Sequence, residues 1–95
     1  MAATFVLPSN QWHVKYEFDS TYPIVGWRIT QVEPGATGAF LGFQPGDTIV
    51  QVGQIRYDPA SPVALDVVLN MAVAAGHRYI VVKDRNSPAY TTANF

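Results

Sequence analysis

The chain contains no cysteine, and this absence excludes disulfides, thiolate nucleophiles and cysteine-ligated metals. Charged residues are also scarce, at 14% of 95 residues, and the six basic ones are scattered singly. Because nucleic-acid surfaces need clustered Lys and Arg, we expect no nucleic-acid partner. No apolar run approaches the roughly 20 residues that span a bilayer, and residues 1–8 have no basic region. We therefore expect neither membrane insertion nor a signal peptide.

Apolar residues are plentiful, at 48% of the chain, which is enough for a packed core. A length of 95 residues fits one small domain spanning residues 1–95. Seven prolines and seven glycines divide the apolar segments from one another. The composition therefore predicts one globular domain built from short elements.

Two Pro-Gly pairs, at 34–35 and 45–46, flank a segment rich in small residues. Proline fixes φ and glycine permits φ > 0, so each pair favours a tight reversal of the chain. The segment between them, 36–41, is long enough for one or two helical turns, and Gly42 suits the residue after a helix. This stretch therefore predicts a turn, a short helix and a second turn.

Residues 12–19 alternate apolar and polar side chains without a break, which predicts a half-buried antiparallel strand. In the next strand we expect Trp27 and Ile29 to face the core. A longer helix is predicted at 62–75, with Ser61 as its N-cap. The further predicted strands are 25–32, 48–52, 55–57, 78–83 and 89–95.

Together these segments predict an α+β fold, in which a small, partly closed antiparallel sandwich or barrel of five to six strands carries two helices. The string from Val32 to Val50 reads Val-Glu-Pro-Gly, then small residues, then Pro-Gly-Asp-Thr-Ile-Val. This string resembles the core of bacterial-type PDZ domains. The resemblance covers about residues 11–83 and implies a PDZ-like fold.

Groups that could carry catalysis are sparse. His13 and His77 lack the spacing of metal ligands, and no carboxylates are patterned around them. Glu17 and Asp19 share one strand face, where solvation is the simpler role. The chain has no nucleophile elbow, phosphate-binding loop or dinucleotide fingerprint. We therefore expect no enzyme activity, no catalytic residues, no metal and no cofactor.

The resemblance implies a binding function. PDZ domains capture an extended peptide, usually a free C-terminus, as an added strand between the second strand and the second helix. This chain would then be a non-catalytic interaction module for protein or peptide C-termini with an apolar last residue. Leu65, at the helix position that reads the peptide, implies an apolar preference two residues earlier. The implied groove residues are Ser9, Asn10, Gln11, Trp12, His13, Val14, Tyr16, Leu65, Leu69 and Ala72.

The chain departs from the family in the loop before the groove strand. PDZ domains usually carry Gly-Leu-Gly-Phe or a relative there, whereas residues 9–12 read Ser-Asn-Gln-Trp. Glycines let backbone N–H groups converge on a carboxylate. The alternative is therefore a structural or assembly domain of the PDZ fold with a degenerate carboxylate site, part of a larger protein such as a protease or envelope protein.

The longer helix has two apolar stripes. One contains Leu65, Leu69 and Ala72, and the other contains Val67 and Met71. Leucines at this spacing are more often core than groove, so we expect one stripe in the core. The other stripe would then face a groove, a partner or a neighbouring domain.

The last four residues form an apolar terminus that ends in Phe95. If the groove binds C-termini, this terminus could occupy the groove of a neighbouring copy, which predicts self-association. The resemblance suggests a periplasmic, envelope or secreted parent protein. The residues themselves leave the localisation open.

Overall fold

The computed structural model of the protein describes residues 2–3, 14–35 and 42–95. In chain order the elements are β1 (Ala2–Ala3), β2 (Val14–Asp19), β3 (Gly26–Val32), β4 (Thr48–Val52), β5 (Ile55–Arg56), helix α1 (Leu65–Ala74), β6 (Tyr79–Lys83) and β7 (Tyr90–Asn94). The strands pair in the order β1-β2-β3-β4-β6-β7, β5 pairs with β4, and every pairing is antiparallel.

The predicted α+β fold class with two helices and five to six strands is wrong. The described residues form a seven-stranded antiparallel sheet with one helix of ten residues. The sheet dominates because turns at Pro and Gly reverse the chain between short β-prone segments. Only the segment that forms α1 keeps helical spacing over ten residues without Gly or Pro. The predicted short helix at 36–41 lies outside the described residues.

A bulge interrupts the alternation of β3. Thr30 has no partner in β2, because its neighbours Ile29 and Gln31 pair with consecutive residues of that strand. Ile29 is fully buried and Val32 packs against the core, although the two are three residues apart. Strict alternation would have turned Gln31 inward, and the bulge instead leaves it exposed.

A second bulge lies in β4. Val50 has no partner in β6, because its neighbours Ile49 and Gln51 pair with consecutive residues of that strand. Ile49 and Val52 are both fully buried at a spacing of three residues. Strict alternation from Ile49 would turn Gln51 towards the core. The bulge shifts the alternation by one residue, so that Val52 is buried instead.

The core lies between the sheet and α1. The helix stripe that contains Leu65 and Leu69 is buried, and the predicted core positions Trp27 and Ile29 are confirmed, at 1% and 0% exposure. Gly26 stands where β3 approaches β4, and a Cβ at this position would collide with the backbone carbonyl of Ile49. The other buried apolar residues are Val14, Tyr16, Phe43, Ile49, Val52, Tyr57, Val68, Ala72, Ile80 and Val82.

Helix α1 begins later than predicted, and the prediction that Ser61 caps it is wrong. The residue before the helix is Ala64, which has an extended ψ of 140° and provides no side-chain cap. Instead, the Tyr16 hydroxyl in β2 accepts the N–H of Leu65 at 3.0 Å. Because this partner comes from a distant strand, the helix starts where the sheet supplies the hydrogen bond.

The second Pro-Gly turn is fixed by a buried carboxylate. Gly46 has a φ of 99°, a left-handed value that favours glycine, and its N–H donates to the carbonyl of Ile29 at 2.8 Å. The carboxylate of Asp47 accepts the N–H of Gln44 at 2.9 Å and that of Arg85 at 3.1 Å. Asp47 therefore joins this turn to the turn between β6 and β7.

Replacing Leu69 with Ala tests the assignment of the core. Leu69 is completely buried, so Leu69→Ala should lower the free energy of unfolding by about 2–5 kcal/mol through lost burial and a residual cavity. Val67→Ala, on the 45% exposed face of the same helix, should change it by less than about 1 kcal/mol. Urea unfolding measures both, and equal losses would contradict the assignment.

Candidate functional site

The predicted groove residues divide into two groups. Residues 9–13, which comprise the predicted loop and the start of the groove strand, lie outside the described residues. The structure brings the other five into one buried cluster between β2 and α1. Their exposures are 1% for Val14, 1% for Tyr16, 0% for Leu65, 0% for Leu69 and 2% for Ala72.

This burial means that the five side chains do not line an open surface. Leu65 and Leu69 touch the sheet as core residues, as the interpretation of their stripe as core predicts. The second stripe is exposed, with 45% of Val67 and 54% of Met71 accessible, and Val63 just before the helix is 42% exposed. The solvent-facing side of α1 is therefore the side that sequence analysis assigned to a groove, partner or neighbouring domain.

Tyr16 links β2 to the helix. Its hydroxyl accepts the backbone N–H of Leu65, which begins α1. Burial raises the pKa of Tyr16 above its ordinary value, the bond from Leu65 lowers it, and the carboxylate of Asp66 raises it further. The hydroxyl therefore remains protonated under ordinary conditions. The hydroxyl accepts the hydrogen bond from Leu65, so its own proton is not used in holding the helix.

A second contact holds the segment before the helix. The indole N–H of Trp27 donates to the carbonyl of Val63 at 2.8 Å. The ring of Trp27 meets that of Tyr57 edge to face, with centroids 5.0 Å apart, and the Tyr57 hydroxyl lies 2.8 Å from the Ser20 hydroxyl. The entry to α1 is thus fixed by two aromatic residues of neighbouring strands, Tyr16 and Trp27.

The outer edge of β2 carries a short added strand. Ala2 pairs with Lys15 and Ala3 with Val14 in antiparallel register. Beyond them, 16–19 have no strand partner on this side within the described ranges. Backbone N–H and C=O groups on such an edge can pair with another extended segment. The site therefore consists of a strand edge beside α1.

The chain terminus lies in its own sheet. The N–H of Phe95 donates to the carbonyl of Arg78 at 3.1 Å, and Arg78 Nε donates to the carbonyl of Phe95 at 2.9 Å. The guanidinium also stands over the phenyl ring, 5.6 Å from its centroid. Self-association through this terminus, as predicted, would require the end of β7 to leave these contacts.

In the part of the chain that the structure describes, ionisable side chains form no constellation typical of catalysis. Glu17 and Asp19 both pair with the guanidinium of Arg28 at the surface. His77 is half-buried in the turn after α1, while His13 lies outside the described residues. Within 14–35 and 42–95, no cluster of three or more His, Asp and Glu could hold a metal ion. Nor does the described chain include a helix suited in length and apolarity to crossing a membrane.

Sequence analysis missed two features of this molecule. The capping role of Tyr16 has no local signal, because its partner is 49 residues away in the chain. A cavity on the face of the sheet opposite α1 was also missed, although Val81 gave a signal for it. Val81 is an apolar residue on the outward side of β6, where alternation with the buried Ile80 and Val82 would favour a polar one.

Comparisons with known proteins add no relative. No family model matches the chain. No curated protein matches it. No solved structure matches it. Inferences about function therefore depend on the geometry and on the resemblance carried by the Pro-Gly string.

The link between β2 and α1 can be tested by removing one oxygen. Tyr16→Phe leaves the N–H of Leu65 buried without its partner, so we expect a loss of about 1–3 kcal/mol in the free energy of unfolding. Tyr22→Phe, at a side chain that is 74% exposed, is the matched control and should change it by less than about 0.5 kcal/mol. Equal effects in chemical denaturation would contradict the role of the hydroxyl.

The raised pKa of Tyr16 also predicts a dependence of stability on pH. The folded protein holds this proton more tightly than the unfolded chain. The resulting stabilisation is complete below the unfolded pKa of about 10 and is lost as the pH rises from there through the folded pKa. The stability advantage of the wild type over Tyr16→Phe should therefore shrink above about pH 10. Urea unfolding across this range measures it, and a constant difference would argue against the shift.

Proposed function

We propose that this protein is a non-catalytic interaction module that binds an extended peptide as an added strand along the outer edge of β2, beside α1. The observation that carries the proposal is the antiparallel pairing of Ala2–Ala3 with Val14 and Lys15. An extended segment already pairs along this edge. The edge can therefore accept an added strand through main-chain hydrogen bonds.

The edge continues beyond this short strand. From Tyr16 to Asp19, β2 pairs with β3 on its inner side and has no described strand on its outer side. A bound peptide would take the place of β1 and continue the pairing along these residues. This arrangement follows the binding mode of the PDZ family, which the Pro-Gly string resembles.

We propose a peptide C-terminus with an apolar last residue as the ligand. Val14, which pairs with β1 at this edge, and Leu65, whose N–H bonds Tyr16 of the same strand, are apolar, so they favour an apolar ligand residue over a charged one. Both are buried in this structure. A peptide that pairs with Val14 and Lys15 must displace β1, the described segment on this edge.

A peptide titration tests this proposal. Acetylated hexapeptides that end in valine, added to ¹⁵N-labelled protein, should shift the amide signals of Tyr16–Asp19. A variant that begins at Thr4 lacks β1 and should bind several-fold more tightly, because the intramolecular competitor is removed.

The control for this titration keeps the backbone of β1 and changes only its side chains. A variant carrying Ala2→Ser and Ala3→Ser should bind as weakly as the full chain. If neither the full chain nor the shortened variant shows shifts along β2 at millimolar peptide, strand addition at this edge is excluded.

The exposed row Val63, Val67 and Met71 favours a second candidate function. Val67 and Met71 are 45% and 54% exposed and lie four residues apart on one side of α1, and Val63, two residues before the helix, is 42% exposed. An apolar helix face of this kind suits packing against another domain. The second candidate is therefore a structural or assembly unit of a larger protein, in which α1 is an interface and β2 binds no ligand.

A further inference from the structure

A cavity of about 380 Å³ lies on the face of the sheet that points away from α1. Its volume falls within the range of about 300–1,000 Å³ that is typical of small-molecule sites. Five parts of the chain line it: the turn before β3, the centre of β4, the end of β5 with the residue after it, the centre of β6 and the start of β7. The lining residues are Pro23, Val25, Val50, Gln51, Arg56, Tyr57, Val81 and Tyr90.

The walls of the cavity combine apolar and polar surface in similar proportion. Val50 reaches them because it is the extra residue of the β4 bulge, and bulges commonly redirect a side chain beside a site. Val81 occupies an outward position of β6 and pairs with Gln51. Tyr90 begins β7 and is 54% exposed, so its ring stands at the mouth. A ligand here would bury an apolar body against the sheet.

Two polar side chains contribute to the lining. Gln51 pairs with Arg56 across β4 and β5, which places them side by side. The Nε2 of Gln51 donates to the carbonyl of Gly53 at 2.7 Å, so its amide is oriented by the chain and its oxygen remains available. The guanidinium of Arg56 has no hydrogen bond or ion pair within the described ranges.

The other three arginines have partners. Arg28 pairs with two carboxylates, Arg78 bonds the carbonyl of Phe95, and Arg85 bonds that of Pro45. Arg56 is thus the one arginine of the chain to which the described residues offer no acceptor. A guanidinium beside the valines of this cavity is complementary to a planar carboxylate, which it can bind through two parallel hydrogen bonds.

We propose that this cavity binds a monocarboxylate with an apolar body, its carboxylate held by Arg56 and its body packed on Val50, Val81 and the ring of Tyr90. A doubly charged phosphate fits less well, because one guanidinium would neutralise only part of its charge and the remaining walls offer few donors. Both a free organic acid and the end of a peptide with an apolar last residue carry this chemistry. The site is separate from the β2 edge.

The test uses 3-phenylpropionate and its primary amide as a matched pair of probes. Titrated into the full ¹⁵N-labelled chain, the acid should give saturable shifts at Gln51, Arg56, Val81 and Tyr90, with a dissociation constant of about 0.1–10 mM. The amide keeps the apolar body and loses the charge, so it should bind at least about tenfold more weakly. Equal binding of acid and amide, or no saturable shifts, would overturn the proposal.

Variants separate the role of Arg56 from a general effect of charge. Arg56→Gln should weaken binding of 3-phenylpropionate by about tenfold or more. Arg85→Gln makes the same change of charge outside the cavity and should leave binding unchanged. Both residues are exposed, so both variants should fold, and amide spectra check this. Unchanged binding by Arg56→Gln would refute the assignment.

A third probe identifies the source of the carboxylate. An acetylated tetrapeptide ending in valine, with a free carboxylate, is titrated alone and in competition with 3-phenylpropionate. Competition and shared shifts around Arg56 would assign the site to peptide termini. Shifts from the free acid alone would assign it to small organic acids.

Discussion

The hydrogen bond between the Tyr16 hydroxyl and the N–H of Leu65 determines how the helix meets the sheet. Helix α1 has neither a side-chain cap at its start nor a basic residue in its last turn, so it contains little that stabilises its own ends. The sheet supplies what is missing. Tyr16 fixes the first N–H of the helix, and Trp27 fixes the carbonyl of Val63 just before it. The burial of Leu69 and the other core residues of α1 depends on this placement.

Local signals in the sequence located most of the strands and turns. The alternation from Val14 to Glu17, the inward positions of Trp27 and Ile29, and the left-handed glycine at 46 follow from side-chain pattern and backbone chemistry, whereas Phe18 is 39% exposed against that alternation. The start of α1 could not be found this way. A serine followed by proline is a typical local N-cap. Here, however, the N–H of Leu65 at the start of the helix bonds the Tyr16 hydroxyl, which is 49 residues away in the chain. The fold class failed for a related reason: the number of strands that join one sheet is decided by long-range pairing, such as that of β7 with β6.

The candidate site was harder to predict than the fold, because apolar side chains look alike in a core and in a groove. Leu65 and Leu69 have the right spacing for either, and only their packing against the sheet separates the two interpretations. The pairing of Ala2–Ala3 with β2 could not be predicted either, because two alanines show no alternation typical of a strand. Arg56 is a lone charge in the sequence, and its significance comes from the valines that the strand pairing brings beside it.

The bulges at Thr30 and Val50 have a consequence for the shape of the sheet. Each adds a residue to one of two adjacent strands and so increases the local bend and right-handed twist. A sheet that is curved at two neighbouring strands covers much of its own concave face, so a short helix is enough to cover the rest. A ten-residue helix is then long enough, with Phe43 and Tyr57 contributing from loops. The low helix content of the described residues is thus consistent with bulged, curved strands.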